Sequence, residues 1–399
     1  MRVGLITGEY PPDQGGVGDF TRELGKGLAV LGHDVHVITS KWQVASGKRP
    51  ISNLQPPVPV HREITGWSWG CWKQIRQIVQ RERIDVLNVQ FQTAAYGMRP
   101  AIHFIPRHKD RPPVAVTFHD LKAPYLFPKA GPLRWKAVEM MAQRADGVIV
   151  TNVEDEVRVA NRSTERSRRS RKSQTANLVR IPIGSNIAPC LPGAYDRAIW
   201  RARWGIGPDD VLLGYFGFLN ERKGGEDLVE TLAALVARGV SAHLLFVGGR
   251  VGSSDPTNAA YAQKVDRLIA ERGLSRRVHH TEYVPAEEVS ASLEAVDVCV
   301  MPYRDGVSLR HGSLHACLAH GRPVVTTRPA VETPEFRDGE NMLLAPAEDV
   351  AALADCVVRL ASDADLRARL EKGAVRLAKE FTWDRIAART AEFFAGLVG

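Results

Sequence analysis

One pattern constrains this chain more than any other: an alternation of short apolar runs and helical stretches that is played twice. Arg2–Thr7, Asp34–Ile38, Asp85–Val89, Val114–Phe118 and Gly147–Val150 are strand-like runs, with the helical stretch Gly18–Leu31 between the first two. The pattern restarts at Val211–Phe216 and continues through His243–Val247, Val278–His280, Val298–Met301 and Val324–Thr327. Helical patterns at Glu226–Arg238, Ala259–Arg272 and Ala286–Ala295 fall between these later runs. Strands alternating with helices imply βαβ units and parallel sheets. The expectation is therefore an α/β chain of two Rossmann-like domains, and 399 residues suffice for two buried cores. Pro189, Pro192, Gly193, Gly205, Gly207 and Pro208 punctuate a loop-rich stretch, which places the boundary between about 185 and 210. The expected domains are residues 1–190 and 208–375, followed by a last segment, 376–399.

Composition narrows the class. A chain that is 44% hydrophobic and 25% charged is ordinary for a globular protein and excludes collagen-like or coiled-coil architectures. The opening Met-Arg-Val-Gly-Leu-Ile-Thr-Gly is short and lacks a cleavage pattern, so it reads as a first strand, not as a signal peptide. Nowhere does an apolar run approach the roughly 18 residues of a membrane span. Cys71, Cys190, Cys299, Cys317 and Cys356 are scattered and odd in number, which suits free thiols in a reducing cytoplasm. They lack zinc spacing, and Asp363-Ala-Asp365 reads as a helix cap, so neither a metal nor another cofactor is expected. A net charge of +8 favours an acidic partner: nucleotide phosphate, anionic lipid at the inner membrane face, or acidic glycan. Nucleic acid is not expected, because no binding motif accompanies the charge. The basic run Arg162–Lys172 lies among serines and reads as a solvated loop, with a membrane or polyanion contact as the alternative. Trp67, Trp69 and Trp72 precede basic residues and suit either an interfacial patch or a packed helix.

The first candidate for chemistry is Pro11-Pro12-Asp13-Gln14-Gly15-Gly16-Val17-Gly18, between the first strand and the first helix. Small residues there let backbone amides approach an anion, although the glycine spacing is not that of the dinucleotide fingerprint and a plain tight turn also satisfies it. This segment and Leu31-Gly-His-Asp-Val-His-Val-Ile-Thr39 resemble the opening of the family 4 glycosyltransferases, which have the two-domain GT-B fold. The resemblance continues through Val116-Thr-Phe-His119-Asp120, Asn220-Glu-Arg-Lys223-Gly224 and Ala295-Val-Asp-Val-Cys-Val-Met-Pro302. Gly321-Arg-Pro-Val-Val325, the loop Pro334–Asn341 and Phe381-Thr-Trp383 extend it to the end of the chain.

The resemblance implies two domains facing a cleft, with the acceptor held by the first and a nucleotide-sugar by the second. It also implies a final helix that packs back on the first domain. It implies retention of anomeric configuration, a metal-independent hexosyl transfer of the kind used in polysaccharide biosynthesis, and a UDP-sugar such as UDP-glucose ahead of GDP-mannose. The acceptor would be a glycan, a lipid-linked sugar or a small molecule. As the anomeric bond breaks, the leaving diphosphate gains charge, and a cation placed there stabilises the transition state. Lys223 takes that role by resemblance, and His119 lies near the transferred sugar. Gly15, Gly16, Tyr283 and Val284 join the donor site, while Asp120 and Tyr125 are candidates for the acceptor.

Two departures from the family pattern matter. Phe218 stands where the family often carries a phosphate-binding arginine. The family's Glu-x7-Glu motif is replaced by Tyr303–Leu314, whose Asp305, Gly306, Val307, Ser308, Arg310 and Ser313 are expected to supply donor contacts, with Arg310 as the substitute phosphate cation. Two other readings share these residues: a nucleotide-sugar epimerase or hydrolase on the same fold, and a non-catalytic nucleotide-sugar-binding homologue.

Overall fold

A computed structural model describes residues 1–13, 15–41, 58–105, 111–121, 131–167, 177–193, 195–249 and 257–399. The chain divides into two compact units, Met1–Gly184 with Trp383–Gly399, and Ser185–Thr382.

The first unit follows the order β1 (Arg2–Thr7), α1 (Gly16–Val30), β2 (Asp34–Ser40), β3 (Val60–Ile64), α2 (Cys71–Glu82), β4 (Val86–Phe91), β5 (Val114–Phe118), α3 (Gly131–Arg144), β6 (Gly147–Val150), α4 (Val153–Ser167) and β7 (Asn177–Arg180). Its seven strands pair in parallel in the order β3-β2-β1-β4-β5-β6-β7. The central strands are buried end to end because both faces of the sheet are covered. The C-terminal helix, Trp383–Val398, belongs to this unit. Gly27 and Gly147 let it approach: a Cβ on Gly27 would stand 2.7 Å from Ala387 Cβ, and one on Gly147 only 2.6 Å from Phe393 Cζ.

The second unit repeats the plan with α5 (Arg197–Ala202), β8 (Val211–Phe216), α6 (Gly225–Ala237), β9 (Ala242–Val247), α7 (Thr257–Glu271), β10 (Val278–His280), α8 (Ala286–Ala295), β11 (Val298–Met301), α9 (Gly312–Ala319), β12 (Val324–Thr327), β13 (Leu343–Ala345), α10 (Val350–Ser362) and α11 (Ala364–Ala378). Its parallel order is β10-β9-β8-β11-β12-β13. In each unit the chain winds outward on one side of the first strand and then returns to its other side. The switch lies between β1 and β4 in the first unit and between β8 and β11 in the second. Open α/β sheets bind ligands beyond the carboxyl ends of the strands at such a switch.

Three strands escape the sequence pattern: β3, β7 and β13. All three are edge strands. β3 reads Val-His-Arg-Glu-Ile and β7 reads Asn-Leu-Val-Arg, too polar for the apolar-run criterion, and β13 has three residues. The basic stretch also differs from expectation, since α4 remains helical through Ser167; Arg168–Lys172 lie outside the described residues. Asp363 caps α11 by accepting from Leu366 N, as its spacing predicts. All five cysteines are free, and only Cys190 is exposed. No helix among the described residues is long and apolar enough to cross a membrane.

Candidate functional site

In the second unit, the loops after β8 and β11 meet at the switch point. β8 ends at Phe216, and Gly217 then adopts φ 118°, which favours glycine. A Cβ there would stand 3.3 Å from Lys223 Nζ and 3.6 Å from Ser313 Cβ, so Gly217 lies against both side chains. Asn220 caps the short turn Glu221–Lys223 by accepting from Lys223 N at 3.2 Å. Gly224 follows with φ 67°, and a Cβ on it would strike Pro302 O at 2.1 Å, which is how the two loops come into contact. Lys223 is therefore held at the start of α6. Its ammonium has no hydrogen-bond or ion-pair partner among the described residues, and burial pushes its pKa down to about 8. Asp227, four residues on and close to Gly224, is already engaged: it accepts two hydrogen bonds from Arg304, each 2.8 Å.

The loop Tyr303–Leu314 is tightly packed. Gly306 has φ 81°, and a Cβ there would lie 2.7 Å from Ala330 N. Val307 and Ser308 are fully buried. Tyr303 is buried too, hydrogen-bonds Ser313 Oγ at 3.0 Å and stacks on His311 with centroids 3.8 Å apart. Ser308 N donates to His311 Nδ1 at 3.2 Å, which fixes His311 as an acceptor on that nitrogen. Arg310 pairs with Asp305 at 3.2 Å, and its side chain is only 7% exposed. The expected substitute phosphate cation is thus directed at a carboxylate of its own loop. Ser313, in the first turn of α9, is the loop residue set beside Gly217 and Lys223. Tyr283 is 63% exposed, while Val284 packs partly against the core.

In the first unit, the turn around Gly15 and Gly16 leads into α1, but a side chain that the sequence reading passed over reaches it. Glu9 Oε1 accepts from Val17 N at 3.0 Å and from Gly18 N at 3.3 Å. A Cβ on Gly15 would fall 2.1 Å from the same oxygen, so glycine makes room for this carboxylate. The amino terminus expected to face a ligand's phosphate is capped from within. Burial raises the pKa of Glu9, and Asp13 and Asp19 add to the rise, against the pull of the two amides. No capping rule signals this contact, because Glu9 lies upstream of the Pro-Pro turn and not at the N-cap.

His119 sits just beyond the carboxyl end of β5. Gln90 Nε2 donates to Asn88 Oδ1, which leaves Gln90 Oε1 to accept from His119 Nε2 at 2.8 Å. The proton therefore resides on Nε2, and Nδ1 offers a lone pair with no partner among the described residues. Phe20 meets the ring edge-on at 4.6 Å, and burial pushes the pKa of His119 down to about 3. This neutral imidazole can accept a hydroxyl hydrogen bond; it does not share positive charge with a phosphate. Asp120 lies half-buried in the following turn, and Tyr125 lies outside the described residues.

His36, His61 and Glu82 bring potential ligand atoms within 4.8 Å of one another. The two imidazoles already hydrogen-bond each other at 3.0 Å, and Arg81 Nη2 stands 3.2 Å from His61 Nδ1, so a guanidinium occupies the place a cation would need. Of the three tryptophans, Trp67 is buried against Tyr96 and Trp72 donates to Ala101 O at 3.0 Å, which leaves Trp69 exposed.

Comparison with known proteins bears on the family and the fold. Residues 14–166 match the model of Glycosyltransferase Family 4, and residues 210–363 match that of Glycosyl transferases group 1. A D-inositol 3-phosphate glycosyltransferase of Corynebacterium urealyticum is 30% identical over 56% of this chain and 52% of its own length. The chain thus spans about half the length of the first curated relatives it matches. A GDP-mannose-dependent alpha-(1-6)-phosphatidylinositol monomannoside mannosyltransferase of Mycolicibacterium smegmatis is 26% identical, over 98% of each chain. Among solved structures, Anabaena HepE in complex with UDP and glucose superposes with a TM-score of 0.74, at 18% identity, over 99% of this chain and 100% of that one. At that identity the likeness is one of fold.

Proposed function

The chain belongs to the family 4, or group 1, glycosyltransferases, and from this premise we propose that it is a retaining hexosyltransferase drawing on a nucleotide-sugar. The second unit takes the donor and the first takes the acceptor. A UDP-sugar is the first choice and GDP-mannose the second. The acceptor is a glycan, a lipid-linked sugar or a small molecule; two relatives whose names carry inositol make inositol phosphates and phosphatidylinositol mannosides the acceptors to try first.

The observation that carries this reading is Lys223. A desolvated ammonium that no side chain among the described residues neutralises, set beside Ser313 and the start of α9, is matched to a diphosphate. Its attraction grows as the glycosidic bond stretches and charge moves onto the leaving group, which lowers the barrier more than it tightens ground-state binding. The Arg310–Asp305 pair fixes the loop so that Ser313 and the loop backbone line the donor; the positive charge comes from Lys223. His119 accepts a hydrogen bond from a sugar hydroxyl through Nδ1. In this scheme the leaving phosphate removes the acceptor's proton on the same face of the sugar, and configuration is kept.

The test is nucleotide release from UDP-glucose and GDP-mannose with these acceptors, with the product's anomeric configuration read by NMR. A retained product formed by the wild type and lost in Lys223→Ala supports the reading; an inverted product, or turnover that needs no acceptor, overturns it.

A further inference from the structure

The loop after β11 carries a second arginine, and the two are used differently. Arg310 is turned to Asp305 within the loop, whereas Arg304 reaches out of it. Arg304 Nε and Nη2 donate to the two oxygens of Asp227, each at 2.8 Å, so the pair is bidentate. A fork of this kind fixes direction as well as distance. Asp227 is buried in the first turn of α6. Arg304 Nη1 stands 3.6 Å from Glu226 Oε2, and Glu226 Oε1 takes Lys264 Nζ of α7 at 2.8 Å. The main chain adds another bond, since Arg304 N donates to Arg222 O at 2.8 Å. Arg304 therefore grips the Lys223 turn on both sides, at Arg222 before the lysine and at Asp227 after it.

The two residues before Arg304 act on the same loops. Pro302 O lies where a side chain on Gly224 would project, and the Tyr303 hydroxyl hydrogen-bonds Ser313 Oγ at 3.0 Å. Pro302, Tyr303 and Arg304 thus join the turn that carries Lys223 to the helix start that carries Ser313. Lys223 Nζ and the Ser313 side chain both lie against Gly217. A lysine has a flexible four-carbon stem. Where its ammonium has no partner among the described residues, its place is set by the backbone that carries it and by the walls around it. Arg304 fixes that backbone.

We infer that Arg304, through Asp227 and Arg222, is a positioning residue for the transfer: it sets the Lys223 ammonium beside Ser313 in the free protein and does not itself contact the diphosphate. This rests on the donor reading of Lys223. A cation already in place meets the charge that develops on the leaving group without reorganisation, so the effect of Arg304 falls on kcat.

Arg304→Gln, Asp227→Asn and the double variant of the full chain test it. Steady-state transfer is measured from whichever of UDP-glucose and GDP-mannose the wild type uses, and calorimetry follows UDP and GDP binding. Rates are expressed per folded molecule, with the folded fraction read from denaturant unfolding. Each single variant is expected to lose about tenfold in kcat, with the donor KM kept within about threefold. The double variant should be no worse than either single, because the two side chains act as a unit. It also leaves no buried charge unpaired, so it carries the test should a single variant fail to fold. If Asp227→Asn tightens UDP or GDP binding, the freed guanidinium is a phosphate ligand and the inference is wrong. If KM rises while kcat holds, Arg304 serves donor binding and the inference is wrong. If the losses multiply in the double variant, the two residues act separately and the brace fails. If the double variant keeps kcat within about twofold of the wild type, the pair serves the fold alone, and the brace fails while the donor reading stands. If the wild type neither binds these nucleotides nor transfers from their sugars, the donor reading fails and the brace fails with it.

Discussion

The two units build the same feature and finish it oppositely. In each, the first strand of a parallel sheet ends in a glycine-containing turn that opens a helix, α1 after β1 and α6 after β8. In the first unit the chain's own carboxylate, Glu9, fills the turn and caps Val17 and Gly18. In the second, the turn holds the Lys223 ammonium with no partner among the described residues, and the adjacent acid, Asp227, is taken by Arg304. A repeated backbone plan thus carries opposite electrostatic demands. One turn has its anion built in, and the other still requires one. On the proposed reading, this difference is what assigns the donor's diphosphate to the second unit.

The comparison breaks most sharply at Lys223. Lys223→Ala should lower kcat/KM by about 10²–10³, the effect of removing one preorganised transition-state contact, as measured with saturating acceptor. Glu9→Ala, at the equivalent turn, should leave donor affinity within about threefold; equal losses at both positions would erase the contrast. The pH dependence comes next. Because the free Lys223 pKa is pushed down to about 8, its charge is present below that pH and lost above it. Donor affinity should therefore be flat up to about pH 8 and then fall towards tenfold per unit, as the free protein must first bind a proton. Lys223→Arg should keep its charge and flatten that limb.

A smaller effect separates the two turns in stability. Glu9→Ala leaves two helix amides without their acceptor and should cost about 1 kcal/mol in denaturant unfolding, whereas Glu9→Gln keeps a carbonyl oxygen in place and should cost less. The smallest expected change is none at all. With its pKa pushed down to about 3, His119 should not titrate between pH 5 and pH 8. Imidazole ¹⁵N shifts should report a neutral ring protonated on Nε2 across that range; a titration near pH 6.5 would return a charge to the first unit.

How much of this was legible beforehand depended on burial and on locality. The central strands β1, β4, β5, β6, β8, β9, β11 and β12 declare themselves because both faces are covered and their sequences are mostly apolar. The edge strands β3 and β7 do not, because an edge tolerates His61, Arg62, Glu63 and Arg180, and β13 does not because it has only three residues. The Lys223-Gly224 turn is local, so its residues sit together in the sequence as they do in space. Glu9 over Gly15, and Arg304 on Asp227, are contacts between separate segments, and no spacing rule reaches them. The Arg310–Asp305 pair is local as well, five positions apart in one loop, and the spacing alone does not single it out from the loop's other polar residues.

The most direct measurement is the pKa of the Lys223 ammonium itself, followed by NMR of the side chain in the free protein and with UDP or GDP bound. A free value near 8 that rises when the nucleotide binds is the expected result, because the diphosphate supplies the charge that burial withholds. A free value at the ordinary lysine level of 10.5, or one that the nucleotide leaves unmoved, would contradict an unneutralised cation poised for a donor.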